Sequence, residues 1–305
     1  NLTKKVLLIL MTIKHLVFSG GAYKGLYFLG ALDHLNKNNF YNIENIETIN
    51  AVSIGSLIAV LLCLKIPIKD MIEFIINKPL KKIFHIDMEN IFNINDDLGI
   101  FDKKLFIEIY YSFFGSLGLD CTTMTLKELY EYSGIELVIT TVRMTGWVVE
   151  DFSYKTHPDL SVLDATYMSS SLPFIIKPMK YNDSYYLDGG LINSYPLDRC
   201  MDCGYENEEI LSLIAKNEKV SNLIKTDNPN VFTFGWCVLN NILKASQDDY
   251  YRKGNAKYEL PIPVRLMNID DAMGIINTKE KRVEMIKEGK EEAVKFLNKI
   301  TEQCE

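Results

Sequence analysis

Residues 13–25 read Ile-Lys-His-Leu-Val-Phe-Ser-Gly-Gly-Ala-Tyr-Lys-Gly, and residues 46–55 read Ile-Glu-Thr-Ile-Asn-Ala-Val-Ser-Ile-Gly. In the first stretch Ile13 to Phe18 is a short apolar run suited to a buried strand. Ser19 to Gly25 is a tight, small-residue loop, and Leu26 to Leu35 continues as a helix with an apolar face. The second stretch repeats the plan, with a strand at Ile46 to Asn50, a turn, and a mostly apolar helix from Ile54 to Leu64. Two strand–turn–helix units in succession predict an α/β fold, because neighbouring parallel strands need a crossover and a helix is the usual one. The fold class expected is therefore a mostly parallel central sheet flanked by helices.

Outward from these units the pattern continues to Pro196 and then thins. Pro67 closes the second crossover, and Ile68 to Ile76 reads as another helix. From Pro79 to Asp120 the pattern loosens, with many aromatic residues broken by Asp96, Asp97 and glycines. Thr125 with Glu128 forms a capping-box signature. Glu136 to Met144 and Trp147 to Tyr154 read as paired strands turning near Thr145-Gly146. Ser161 with Asp164 marks a helix start, Tyr185 to Leu187 a short strand, and Glu209 to Ala215 and Pro263 to Ile269 later strands. Thr278 to Ile300 is a long charged amphipathic helix. The domain reading is residues 1–12 as an extension or misread start, 13–215 as a catalytic domain, and 216–305 as a C-terminal part packed on the same domain.

The chain has 305 residues, 48% of them hydrophobic, and a formal charge of −7. That supports a sizeable core and argues against nucleic acid as a partner. Six cysteines, with one Cys200-x-x-Cys203 pair and no second, do not make a disulfide framework or a zinc site. The four histidines, His15, His34, His85 and His157, are scattered without metal-ligand spacing. No metal and no cofactor are expected. The placement expected is intracellular, cytoplasmic or peripheral to a membrane, with secretion or a host-cell location left open.

Three segments carry chemistry. The loop Gly20-Gly21-Ala22-Tyr23-Lys24-Gly25 follows a strand and opens a helix, so its backbone N–H groups can face a phosphate or an oxyanion. It lacks the Lys-Ser/Thr ending of a Walker loop and one glycine of a dinucleotide fingerprint. Ala51-Val52-Ser53-Ile54-Gly55 places a serine at a sharp strand-to-helix turn with small residues on either side, as a nucleophile elbow requires. Asp188-Gly189-Gly190 ends a strand with a carboxylate; alone it reads equally as an Asp-Gly turn. An acyl-transfer site needs a nucleophile, a base and oxyanion donors, and the three segments supply one each.

Taken together these motifs resemble the patatin-like phospholipase family: a glycine-rich oxyanion loop, a G-x-S-x-G elbow about thirty residues later, and a D-G-G/A motif well over a hundred residues on. The run through Asp159, Ser161, Asp164, Ala165, Ser169, Ser170 and Pro173, and Asn193 with Pro196, resembles the family's flanking segments. The likeness spans roughly Ile13 to Pro196. Ala22 and Ala51 stand where the family usually has glycine. Lys24 matches a basic position of the family, facing either a phosphate head group or solvent.

The resemblance implies a three-layer α/β/α architecture and a lipid acyl hydrolase of phospholipase A type. Ser53 would be the nucleophile, Asp188 the base of a two-residue dyad, and Gly20, Gly21, Ala22 and Ile54 the oxyanion donors. Gly25, Ala51, Gly55, Gly189 and Gly190 would shape the turns around them. No histidine follows Asp188, which removes the ordinary Ser–acid–His chain order. The expected partners are a phospholipid or other fatty acyl ester and a membrane surface. Phe113 and Phe114 are expected at the rim of the acyl groove, with packing in the core as the competing reading. Two other functional readings stay open: a weak or inactive lipid-binding or regulatory protein, and a non-phospholipid esterase or acyltransferase.

Overall fold

The computed structural model describes residues 13–84, 97–217, 231–250, 256–264, 274–275 and 277–302. The N-terminal stretch 1–12, His85 and the part of the expected last strand beyond Val264 lie outside the described residues. The first half runs β1 (His15–Phe18), α1 (Gly25–Lys37), β2 (Thr48–Val52), α2 (Ile54–Cys63), α3 (Ile68–Asn77), α4 (Leu80–Ile83), α5 (Lys104–Ser116) and α6 (Leu126–Ser133). Then follow β3 (Glu136–Arg143), β4 (Val148–Phe152), α7 (Val162–Ser169), β5 (Met179–Tyr181), β6 (Ser184–Asp188) and α8 (Leu197–Asp202). The chain closes through β7 (Ile210–Asn217), α9 (Val231–Tyr250), β8 (Tyr258–Val264) and α10 (Lys279–Glu302). The capping box of Thr125 and Glu128 and the Ser161 cap form as the sequence predicts.

The strands make one eight-stranded mixed sheet. β1 lies between β2 and β7; β3 extends the parallel part beyond β2, and β8 beyond β7. Side chains alternate between the faces. Leu16 and Phe18 enter the large core beneath α1, α2, α3 and α10, while Val17 joins Leu197 and Cys200 of α8 on the other face. Val142, Leu187 and Leu239 of α9 add a third cluster. Helices thus cover both faces of the sheet in a three-layer α/β/α arrangement. α10 is tied back to the first half of the chain: Phe296 meets Phe40 edge-on at 5.5 Å, and the Arg282 guanidinium donates to the Ile76 carbonyl at 2.9 Å.

The last strand departs from expectation. β8 spans Tyr258–Val264, earlier than the stretch from Pro263 that the sequence suggested. Pro261 and Pro263 make this segment look unlike a strand. It survives because, among the described residues, β8 is the edge of the sheet, where the N–H groups that Pro261 and Pro263 lack are not required by a neighbour.

Candidate active site

β3 acts as a template. Its residues Glu136–Thr140 pair with β2 and its residues Ile139–Arg143 with β4, so these two neighbours occupy opposite edges. Thr141–Arg143 pair with both β4 and antiparallel β6, which places β6 on the same edge as β2. β2 and β6 therefore meet head to head along one strand. Val52 lies opposite Thr140 and Asp188 opposite the next residue, Thr141. The residue after Val52 is Ser53, and its Oγ donates to Asp188 Oδ2 at 2.6 Å. Two residues 135 apart in sequence are joined because one strand holds both chain ends.

The local geometry is built for a turn. Ser53 has φ 54° and ψ −127°, a left-handed backbone that a serine adopts only under constraint, and it caps the N-terminus of α2. Gly55 lets α2 start against β1, since a Cβ there would stand 2.8 Å from that of Phe18. Gly189 is equally tight: a Cβ would lie 2.3 Å from the Thr140 carbonyl oxygen. Ala51, by contrast, sits inside β2 between Phe18 and Ile139 and is fully buried in the core, so its methyl is simply packed. Ala22 holds φ 49°, a conformation that disfavours alanine against glycine by about 1 kcal/mol.

Two further contacts hold the pair. Asp188 Oδ1 accepts from the Gly190 N–H at 2.8 Å. The Ser53 N–H donates to Ser169 Oγ at 2.9 Å, and Ser169 Oγ donates to the Thr140 carbonyl at 2.7 Å. Ser169 ends α7 and is wholly buried. In sequence it belongs to the run from Asp159 to Pro173 that resembles the family, but nothing in a spacing of 116 residues signals a bond to the Ser53 amide. Asp188 is itself buried, and desolvation raises its carboxyl to about 6 despite the bonds from Ser53 and Gly190.

Among the described residues the N–H groups of Gly21, Ala22 and Ile54 meet no acceptor. Gly20 must be removed from the expected donors, because its N–H is committed to the Ser194 carbonyl at 2.9 Å. Lys24 is not the surface residue that one reading expected. It is buried, its aliphatic chain runs beside Gly21, and burial lowers its ammonium to about 8. The strongest correction concerns Phe113 and Phe114, which do not line a rim. Both are core residues of α5; Phe113 packs on Phe74 at 4.8 Å between ring centres and Phe114 on Tyr110 at 5.5 Å. Their helix is amphipathic, and its aromatic side faces inward where burial is favourable.

A family model described as patatin-like phospholipase matches residues 16–201, more than half of the chain and the whole of the region that builds this geometry. The chain belongs to the patatin-like phospholipase family. A probable lipid hydrolase, 463L, of Invertebrate iridescent virus 6 is 30% identical over 215 residues, which are 69% of this patatin-like chain and 68% of that protein. The uncharacterized protein R571 of Acanthamoeba polyphaga mimivirus is 26% identical over 302 residues, 94% of this chain and 95% of its own. Among solved structures, VipD from Legionella pneumophila shares the fold with a TM-score of 0.54 at 15% identity, covering 94% of this chain and 67% of that one. The fold shared with VipD thus extends past the matched family segment into β7, α9, β8 and α10.

Proposed function

We propose that this patatin-like protein is a lipid acyl hydrolase of phospholipase A type, with Ser53 as nucleophile and Asp188 as its general base. The observation that carries the reading is the 2.6 Å bond from Ser53 Oγ to a buried carboxylate, at a strained strand-to-helix turn. Family membership and the similarity to a viral protein called a probable lipid hydrolase support the substrate class. In the proposed reaction Asp188 takes the Ser53 hydroxyl proton as Oγ attacks an ester carbonyl carbon. The N–H groups of Gly21, Ala22 and Ile54 receive the developing oxyanion, aided by the positive end of α2. Asp188 passes the proton to the departing alcohol, leaving an acyl-serine. Water, deprotonated by Asp188, then releases the fatty acid and restores Ser53. A carboxylate that titrates at about 6 is a better proton acceptor than an ordinary aspartate and remains ionised at neutral pH.

The test is labelling with a fluorophosphonate probe, and product analysis by mass after incubation with mixed phospholipids and neutral lipids. Wild type is expected to label at Ser53 and to release fatty acid; folded Ser53→Ala does neither. Undiminished hydrolysis by the folded variant would end this reading, and release from neutral lipids alone would move the substrate away from phospholipids.

A further inference from the structure

The strand that joins Ser53 to Asp188 does not stop at the dyad. β3 continues to Arg143 and turns through Met144–Trp147 into β4. Met144 lies three positions along from Thr141, which is opposite Asp188, so the turn stands about 10 Å beyond the dyad along the strand. The β5–β6 hairpin lies beside it. The Met144 N–H donates to the Tyr185 carbonyl at 2.9 Å, the Thr145 N–H to Ser184 Oγ at 3.1 Å, and the Ser184 hydroxyl to Thr145 Oγ1 at 2.9 Å. Two hairpins thus form one stiff tip at the same edge of the sheet as Ser53.

The tip is apolar where water should favour polar residues. Met144 is 55% exposed, Trp147 52%, Tyr185 41% and Val148 39%. Trp147 is held at φ 50° in the turn, an unfavourable conformation for a bulky side chain. The flanking charges are matched: Arg143 pairs with Glu150 at 2.9 Å and Lys180 with Asp183 at 3.8 Å. Tryptophan, tyrosine and methionine on an uncharged apex suit the boundary between head groups and acyl chains, where an apolar body can be buried and a polar edge stay wet. A charge-neutral apex on a chain of net −7 matches a zwitterionic surface rather than an anionic one.

We infer that the Met144–Trp147 turn, with Val148 and Tyr185, is the surface by which the protein docks on a zwitterionic lipid bilayer and brings the Ser53 edge to its substrate. This rests on the lipid-hydrolase reading of the dyad for its purpose, but its test is independent of catalysis. The chain contains two tryptophans, Trp147 and Trp236, so the Trp236→Phe variant reports on Trp147 alone. With phosphatidylcholine vesicles its emission should shift to the blue, and brominated acyl chains should quench it. Met144→Ser/Trp147→Ser should weaken vesicle partitioning roughly tenfold or more while hydrolysis of soluble p-nitrophenyl butyrate stays within about twofold. Tyr111→Ser, which alters an aromatic residue 72% exposed on α5, should bind like wild type. Ser53→Ala should also bind vesicles; if it still cleaves the soluble ester, the catalytic reading fails and the docking surface stands. Unquenched Trp147 in vesicle-bound protein overturns the proposal. So does wild-type binding by the double variant, or loss of binding only when Phe234 and Val238 on α9 are changed to serine. A dimer in solution that the double variant abolishes would assign the tip to self-association instead.

Discussion

At the N-terminal end of the parallel strands, His15 Nδ1 lies 2.8 Å from Thr48 Oγ1, and its Nε2 is 3.9 Å from Glu209. At the C-terminal end, Ser53 Oγ lies 2.6 Å from Asp188. By atoms alone the first group, hydroxyl–imidazole–carboxylate, looks more like a hydrolytic triad than the second. Its surroundings make it a structural cluster. Thr48 lies within β2 and is paired on both sides, with His15 and Glu136, and its own N–H is given to the Lys14 carbonyl. The imidazole is stacked on Tyr205 at 3.7 Å and held below its ordinary range by burial. Ser53 instead sits where a strand ends and a helix begins. There the peptide N–H groups point outward and the helix field favours negative charge. On the proposed function, the end of the sheet that a hydroxyl occupies matters more than which acid or base stands beside it.

Replacing Asp188 should sharpen this contrast most. Asp188→Asn keeps a hydrogen-bonding side chain but removes the proton acceptor, so kcat should fall by roughly 10² to 10⁴ on a soluble ester. The same change should stabilise the fold at neutral pH. Between the ordinary carboxylate range and about 6, the folded wild type holds a proton that the unfolded chain has released. Its unfolding free energy therefore drops as pH rises through that window. The amide variant escapes the loss, which amounts to about 3 kcal/mol at most for a carboxyl raised this far. Thermal melts should show the variant above wild type at pH 8 and the gap closing near pH 4. A variant less stable at pH 8 would contradict the buried ionised carboxylate.

Ser169→Ala should come next. It removes the acceptor of the Ser53 N–H and the donor to the Thr140 carbonyl, loosening the strained turn. A lost buried hydrogen bond of about 1–2 kcal/mol corresponds to a decrease in kcat of roughly tenfold with KM little changed. Ser169→Thr should recover part of it, and an unchanged kcat in Ser169→Ala would show that the elbow holds itself. In wild type, kcat/KM should rise with pH and level off above about 6, following ionisation of Asp188. A rate already level at pH 4.5 would place the controlling group elsewhere.

The smallest effect is expected at the other end of the sheet. His15→Gln should leave ester hydrolysis within about twofold while lowering stability by roughly 1–2 kcal/mol, through the lost Thr48 bond and Tyr205 stacking. A folded variant with abolished acylation would break the comparison and restore a histidine to the mechanism.

Local sequence was enough for the two strand–turn–helix units, the turn at Ser53, the glycine loop, the Thr125 capping box and the Ser161 cap. Each depends on a few neighbouring side chains and their backbone preferences. The strand boundaries slipped by two residues at β2, whose Ala51 and Val52 belong to the sheet rather than the turn. Helix α9 is hard to read in sequence, because its inner and outer faces are both apolar, with Leu239 buried and Phe234, Val238 and Ile242 exposed, which blurs the helical period. The aromatic residues of α5 showed burial-seeking chemistry, but not which surface would bury them; Phe74 of α3 meets Phe113, and Tyr167 of α7 meets Phe106.

The tertiary structure alone decided how the functional parts meet. Sequence named Ser53 and Asp188 as separate strand ends, and only the two-edged pairing of β3 brings β2 and β6 head to head. It also withdrew Gly20 from the expected donors by giving its N–H to Ser194, and added Ser169 beneath Ser53. These are contacts between residues more than a hundred positions apart, set by strand register and helix placement. A sequence motif carries the turn that a residue prefers; the identity of the atom across that turn belongs to the fold.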